Sequence, residues 1–283
     1  MLAYFPSRFG FMFALWLAVP TITLAAGESE KAYQQAQRQV AAGDLAAARR
    51  SMITAVKAER SNQQYLQQYL LISQALKLEA AVQTQRDPER WESAAQALSL
   101  FYTSQGHPAR ALPVDQAIFD RLQTAESAVQ LAETLLSLDE AAGAAGVLRT
   151  LPAERTTTAS SAMLCVALAR AGEMDEAKRV GTALRAGSAD DPFTLYLAAR
   201  AQAVTGEADR SMATLTRCFE SVPPSRLDAL KSHSRTCPDF AGVASSAVFA
   251  RVQQTESKVP ESKCSGGSSC STCPMRGNCS HGK

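Results

Sequence analysis

Small residues recur along this chain at a spacing that predicts paired helices. Ala36, Ser99, Ala132, Cys165 and Ala199 stand seven residues before Gly43, Gly106, Asp139, Gly172 and Gly206, and Ala48, Ala111, Ala144, Ala177 and Ser211 stand five after them. The five turn residues are separated by steps of 63, 33, 33 and 34, and a period near 33 is that of stacked helical hairpins. Two antiparallel helices approach closely only where their facing residues lack bulk, so a small residue on each side of a tight turn lets the backbones meet. Apolar residues twelve past each turn, Ala55, Ile118, Leu151 and Leu184, with Cys218 in the last repeat, are expected to fill the space to the next hairpin.

The remaining pattern is also helical. Alanine, leucine, glutamine and arginine dominate and β-branched runs are scarce, which favours helix almost throughout. Pro88, Pro108 and Pro192 follow Asp87, His107 and Asp191, as suits the first turn of a helix, where the missing N–H costs nothing. Between Gln63 and Gln85 nothing resembles a turn. One long helix is expected there, with Tyr65, Tyr69, Ile72, Leu76 and Ala80 along one face. It reads either as a repeat whose turn was lost or as an inserted spacer. Beyond Pro223-Pro224 the repeat fades into 225–254, expected to hold a short helix and then a longer one carrying Val243, Ala247, Val248 and Val252 that caps the stack. Residues 255–283 are rich in Ser, Gly, Lys and Cys, and are expected to form a flexible tail.

At the turns and their flanking small residues the chain resembles the tetratricopeptide repeat family, over roughly residues 28–224. The stretches that carry the likeness are AAGDLAAARRSMITA, TSQGHPARAL, ARAGEMDEAKRVGTAL and VTGEADRSMATLTRCFESVP. It departs from the family pattern in places. The first-helix aromatic column reads Gln39, Tyr102, Leu135, Leu168 and Gln202; Asp115 and Gly181 interrupt the second-helix column of Met52, Leu148 and Leu215; and the closing proline stands only at Pro223. The resemblance implies an all-α fold, a right-handed superhelical solenoid of helix-turn-helix repeats, here with a disordered Cys-rich C-terminal tail. It also implies a binding face lined by first helices, at positions 13, 10 and 6 before each turn. Those positions are Glu30, Tyr33 and Gln37; Ser93, Gln96 and Leu100; Glu126, Val129 and Glu133; Ala159, Ala162 and Val166; and Phe193, Tyr196 and Arg200. Tyr33, Gln37, Gln96, Glu126, Glu133, Phe193, Tyr196 and Arg200 are the candidate partner-binding residues. The alternative is that these side chains only solvate or pack. The Lys and Asn cluster with which some family members clamp a carboxylate terminus is missing, which disfavours that ligand class.

Composition narrows the partners. Lys and Arg number 29 against 27 Asp and Glu, a net charge of +2; this near-neutrality argues against nucleic acid, whose phosphates need clustered bases. The first 25 residues hold one charge, Arg8, ahead of an apolar run from Phe9 to Leu24 that includes Pro20. That is the layout of a secretory signal peptide, with Ala26 as the expected mature start. A retained membrane anchor is the alternative, although the run falls short of the ~20 residues a spanning helix needs. The expected location is periplasmic or secreted.

Chemistry concentrates in the tail. Cys264, Cys270, Cys273 and Cys279 are spaced C-x5-C-x2-C-x5-C, with His281 two residues on. Four sulfurs on a Gly-rich backbone could hold a soft metal ion such as zinc, could pair as disulfides outside the cytoplasm, or could exchange thiols; no other cofactor is expected. Cys165 and Cys218 read as packing residues. A Cys218–Cys237 bridge is geometrically possible, and His233 and Cys237 are four apart, though Pro238 interrupts a helix there. His107 reads as a helix cap, and the acidic pairs Asp139-Glu140 and Asp190-Asp191 as helix starts. Signatures for zinc proteases, serine hydrolases, phosphate loops and dinucleotide folds are all missing. The reading is a non-enzymatic scaffold or adaptor of the cell envelope that binds a partner's peptide or helix. The alternative is a metal-binding or thiol-redox protein acting through the tail.

Overall fold

A computed structural model describes residues 21–184 and 191–260, with side chains from residue 27 onward. The leader expected over 1–25 lies outside these residues, except for the backbone of its last five. The tail cysteines Cys264, Cys270, Cys273 and Cys279 lie wholly outside them. The described residues form thirteen α-helices and no strand. They are α1 (Thr21–Ala42), α2 (Leu45–Ala58), α3 (Gln63–Thr84), α4 (Pro88–Ser104), α5 (Pro108–Leu122), α6 (Ala125–Ser137), α7 (Ala141–Arg149), α8 (Thr158–Arg170), α9 (Met174–Ala183), α10 (Pro192–Val204), α11 (Ala208–Ser221), α12 (Pro224–Thr236) and α13 (Ala247–Val252). Single 3-10 turns occupy Ala153–Arg155 and Pro238–Phe240. The chain divides into two compact units between Phe101 and Tyr102, inside α4.

One turn geometry is used five times. Gly43, Gly106, Gly172 and Gly206 have φ of 81, 76, 85 and 86°, and Asp139 has φ 62°. Each turn residue donates its N–H to the carbonyl three residues back, and the next residue donates to the carbonyl five back, at 2.8–3.3 Å. This double bond set closes a helix through one left-handed residue, which glycine adopts freely and aspartate tolerates. The following residue, Asp44, His107, Glu140, Glu173 or Glu207, is the N-cap of the next helix. Of these only Asp44 bonds the backbone through its side chain. His107 occupies the cap position without making the cap hydrogen bond expected of it.

All ten small residues flanking the turns are buried. Inside the α8–α9 and α10–α11 hairpins the two small positions touch: Cys165 Sγ donates to Ala177 O (3.2 Å) and Ser211 Oγ to Ala199 O (2.8 Å). The two residues that break the second-helix column have physical reasons to be there. A Cβ on Gly181 would come within 3.3 Å of Thr205 Cγ2 and 3.4 Å of Cys165 Sγ, so that position marks a close helix approach. Asp115 is buried and accepts hydrogen bonds from Gln130 Nε2 and Thr134 Oγ1, both at 2.6 Å, from the next hairpin. Leu151 is only half-buried, because α7 ends at Arg149, although it still packs on the core.

In the first unit α1 packs on α2 and α2 on α3. α3 is a single helix of 22 residues whose buried positions are Tyr65, Gln68, Ile72 and Ala75. The buried stripe is rotated from the expected one: Tyr69 and Leu76 are half-buried and Ala80 is exposed. In the second unit the helices from α5 to α9 pack in order, α10 packs on α8 and on α11, and the first helices α6, α8 and α10 thus lie side by side. A core of Leu131, Leu135, Met163, Leu168 and Leu197 runs through α6 to α10. A second core joins α10 and α11 to the C-terminal segment through Tyr196, Leu215, Phe219, Phe240 and Phe249. That segment reverses the expected lengths, since α12 has 13 residues and α13 six, with Val243 in the turns between them. Ser246 caps α13 and ends the non-helical stretch. Order also extends past Gln254: Lys258 donates its N–H to Glu220 O (2.8 Å) and its Nζ pairs with Glu220 Oε1 (2.7 Å).

Candidate functional site

The first-helix face of the second unit is built on α6, α8 and α10, each fixed at its start by a hydroxyl or carboxylate cap. Thr124 and Ser127 form a reciprocal capping box on α6, and Thr157 and Ser160 form the same box on α8. Asp191 accepts from Phe193 N (2.9 Å), Thr194 N (3.2 Å) and Thr194 Oγ1 (2.7 Å) on α10. Burial opposes its charge, yet these donors hold the Asp191 carboxyl below its ordinary value. The three caps fall at one register, fifteen residues before Asp139, Gly172 and Gly206, so the three helices present equivalent positions in rows. The T-x-x-S spacing is a sequence signal for the first two starts, as Asp191-Pro192 is for the third.

In the row six residues before each turn Glu133 is half-buried, with its side chain 40% exposed, while Val166 and Arg200 are buried. Arg200 is 2% exposed. Its Nε donates to Asp239 Oδ2 at 2.7 Å and its Nη1 to Glu133 Oε2 at 2.8 Å. Arg170 Nε donates to the other oxygen of Asp239, also at 2.7 Å. Val166, between them in the row, is buried as well. A carboxylate from the 3-10 turn Pro238–Phe240 is thus held by guanidiniums from α8 and α10. Burial works against ionisation of Asp239, but Arg200 and then Arg170 outweigh it and keep the carboxyl below its ordinary value. The same segment closes the next row: Tyr196 Oη is hydrogen-bonded to His233 Nδ1 (2.6 Å), and the Tyr196 ring meets Phe240 edge-on at 5.8 Å. Burial pushes the Tyr196 hydroxyl pKa up; partial burial, with Arg200 nearby, pulls His233 down. Tyr196 and Arg200, expected to face a partner, are instead core residues covered by the chain's own C-terminal segment.

The row thirteen residues before each turn stays open. Glu126 is exposed, Ala159 half-buried, and Phe193 57% exposed. Glu126, Val129, Ala159 and Phe193 line a cavity of about 430 Å³. A second cavity of about 670 Å³ lies between α10 and α12, against Tyr196, Val222, Leu230, Arg226 and His233. Asp191 and Phe193 belong to both, so one groove runs past the Phe193 ring. Asp191 and Phe193 stand at its middle, with acidic Glu126 on one side and basic Arg226 on the other.

The structure therefore joins Glu133 to Arg200 directly and puts Glu126, Phe193 and Tyr196 on one groove. The first-unit candidates stand separately. Tyr33 is half-buried and stacked on Tyr65 (5.0 Å between centroids, 26° between planes), and its hydroxyl accepts from Gln64 Nε2 at 3.2 Å. Gln37 is half-buried, and Gln96 is exposed and donates to Glu92 Oε1 at 2.9 Å. Arg170, Asp239, His233 and Arg226 were not among the expected site residues.

Among the described residues no group of three or more His, Cys, Asp or Glu could hold a metal ion. Cys165, Cys218 and Cys237 are buried free thiols, so Cys218 and Cys237 do not form a bridge. Burial pushes both the Cys165 and the Cys218 thiol up to about 12 and raises Cys237 as well, which removes thiolate nucleophiles from this part of the chain. His233 and Cys237 do not act as a pair. The first bonds Tyr196, and the second closes α12 with its Sγ 3.5 Å from Asp239 Oδ2. No described helix is long and apolar enough to cross a membrane.

No family model matches the chain, and no curated protein matches it. Among solved structures it is similar to a tetratricopeptide repeat protein from Parabacteroides merdae, at 14% identity over 81% of this chain and 98% of that one, with a TM-score of 0.41. That likeness transfers no residue's role to the groove.

Proposed function

We propose that the protein is a non-enzymatic interaction scaffold, exported to the cell envelope, that holds an extended segment of a partner protein in the groove around Phe193. The observation that carries this reading is an aromatic ring left 57% exposed at the junction of two cavities, on a helix whose Tyr196 and Arg200 are buried. An exposed ring flanked by polar walls is the form of a recognition site. The charge layout selects the ligand: a basic residue toward Glu126 and Asp191, an apolar side chain on Phe193, and an acidic or polar residue toward Arg226. The apolar leader in the sequence supports export. Panning the purified chain against a random peptide library tests the site. Enriched peptides should combine an aromatic or large aliphatic residue with a basic one and should lose binding to Phe193→Glu. Failure to enrich any sequence, or enrichment that ignores Phe193→Glu and Glu126→Lys, would refute the assignment.

A further inference from the structure

α3 presents two different faces. Tyr65, Gln68, Ile72 and Ala75 are buried, and α2 is its closely packed neighbour. Leu66, Leu70 and Leu71 are 36, 57 and 48% exposed. Leu70 and Leu71 line an open cavity of about 610 Å³ together with Gln67, Gln74 and Lys77. Charged residues make up 20% of the chain, yet none falls between residues 61 and 76. A helix face that ends in water ordinarily carries charge.

The stretch also has mirror symmetry in residue class. About the midpoint of Leu70 and Leu71, Tyr69 mirrors Ile72, Gln68 mirrors Ser73, Gln67 mirrors Gln74, Leu66 mirrors Ala75, and Tyr65 mirrors Leu76. When two identical helices cross antiparallel at such a midpoint, each residue of the exposed face meets its mirror position on the other copy, here Leu70 with Leu71 and Gln67 with Gln74, all four exposed. Leucine then meets leucine and glutamine meets glutamine, and the nearest ionic group, Lys77, meets Gln64.

We infer that this face of α3 docks a second copy of the same chain, with the two α3 helices antiparallel about a two-fold axis through Leu70 and Leu71. A two-fold contact must be self-complementary, and a charge-free face meets itself without like-charge repulsion. An unrelated partner would find no charge on it by which to be selected. The area sets the strength. The helix has 22 residues, so it is about 33 Å long and roughly 10 Å wide, and it covers roughly 330 Å² per copy. That is under half of the ~800 Å² per partner of a standard interface, so the dimer is weak and forms with rising concentration. The inference is independent of the groove around Phe193.

Sedimentation velocity over a concentration series of the full chain tests it. The unaltered protein should pass from monomer to dimer, and the pair Leu70→Glu with Leu71→Glu should stay monomeric throughout, with an unchanged helical circular dichroism spectrum. Leu100→Glu, at an exposed leucine on α4, should leave the dimer intact. The register is tested by charge. Gln67→Glu with Gln74→Glu places like charges opposite across the axis, whereas Gln67→Glu with Gln74→Lys places opposite ones there, and the second should dimerise at least about threefold more tightly. A chain monomeric at every concentration, a dimer indifferent to the leucine changes, or equal association of the two charge variants would each overturn the proposal.

Discussion

Two rows of side chains run along the same three helices of the second unit, and they have opposite fates. Six residues before their turns, Arg200 is bonded to Asp239 of the Pro238–Phe240 segment, Val166 is buried and Glu133 is tied to Arg200, while Glu126, Ala159 and Phe193, thirteen before, face open cavities. Both rows obey one register. A repeat thus fixes which way a side chain points within its hairpin, whereas what covers it is decided by chain that lies outside the repeat.

The contrast is broken most sharply at its strongest contact. Arg200→Met removes one of the two guanidiniums on a carboxylate whose side chain is 1% exposed. Loss of one partner from a buried ion pair costs about 3–5 kcal/mol, and denaturant unfolding should show a loss of that size. Phe193→Ala, in the open row, should change stability by no more than about 0.5 kcal/mol while abolishing peptide binding. Similar destabilisation by the two variants would erase the distinction between the rows.

Acid should act first on the contacts of the C-terminal segment. The folded-state pKa of His233 lies below its ordinary 6.5 and that of Asp239 below its ordinary 3.8. For both groups the contribution to stability is complete above the unfolded value and is lost as pH falls through the folded one. Stability should therefore begin to fall below about pH 6.5 and fall again below about pH 4. His233→Gln should remove the first phase and leave the second, as followed by thermal melts across a pH series.

The turns that set both rows should respond to substitution with opposite signs. Gly206→Ala places a Cβ at φ 86° and should cost about 1–2 kcal/mol. Asp139→Gly relieves the non-glycine turn at φ 62° and should gain less than Gly206→Ala loses, because aspartate already tolerates the left-handed region. Equal signs for the two changes in chemical denaturation would contradict the shared turn geometry.

Much of the fold could be read from residue spacing because the constraint is local. A left-handed turn residue needs glycine or a tolerant aspartate, and close helix packing needs small side chains seven before and five after it. Both demands leave marks on single positions. The same holds for Pro88, Pro108 and Pro192, each of which opens a helix. The covered row could not be read this way. Arg200 bonds Asp239 across 39 residues and Arg170 bonds it across 69, and no periodicity links those positions. Tyr196 and Arg200 have the right register for an inner face, but their exposure depended on a tripeptide in a region where the repeat had faded. Glu126 and Phe193, which make no contact with that tripeptide among the bonds described, are exposed.

The Asp239 contact locks the C-terminal segment onto α8 and α10, and the buried thiol of Cys237 reports on that contact. Pulsed alkylation of the native chain, resolved by peptide mass spectrometry, should find Cys237 as protected as Cys165, with Arg200→Met exposing Cys237 while Cys165 stays protected. Rapid labelling of Cys237 in the unaltered chain, or joint release of both thiols in the variant, would contradict the account.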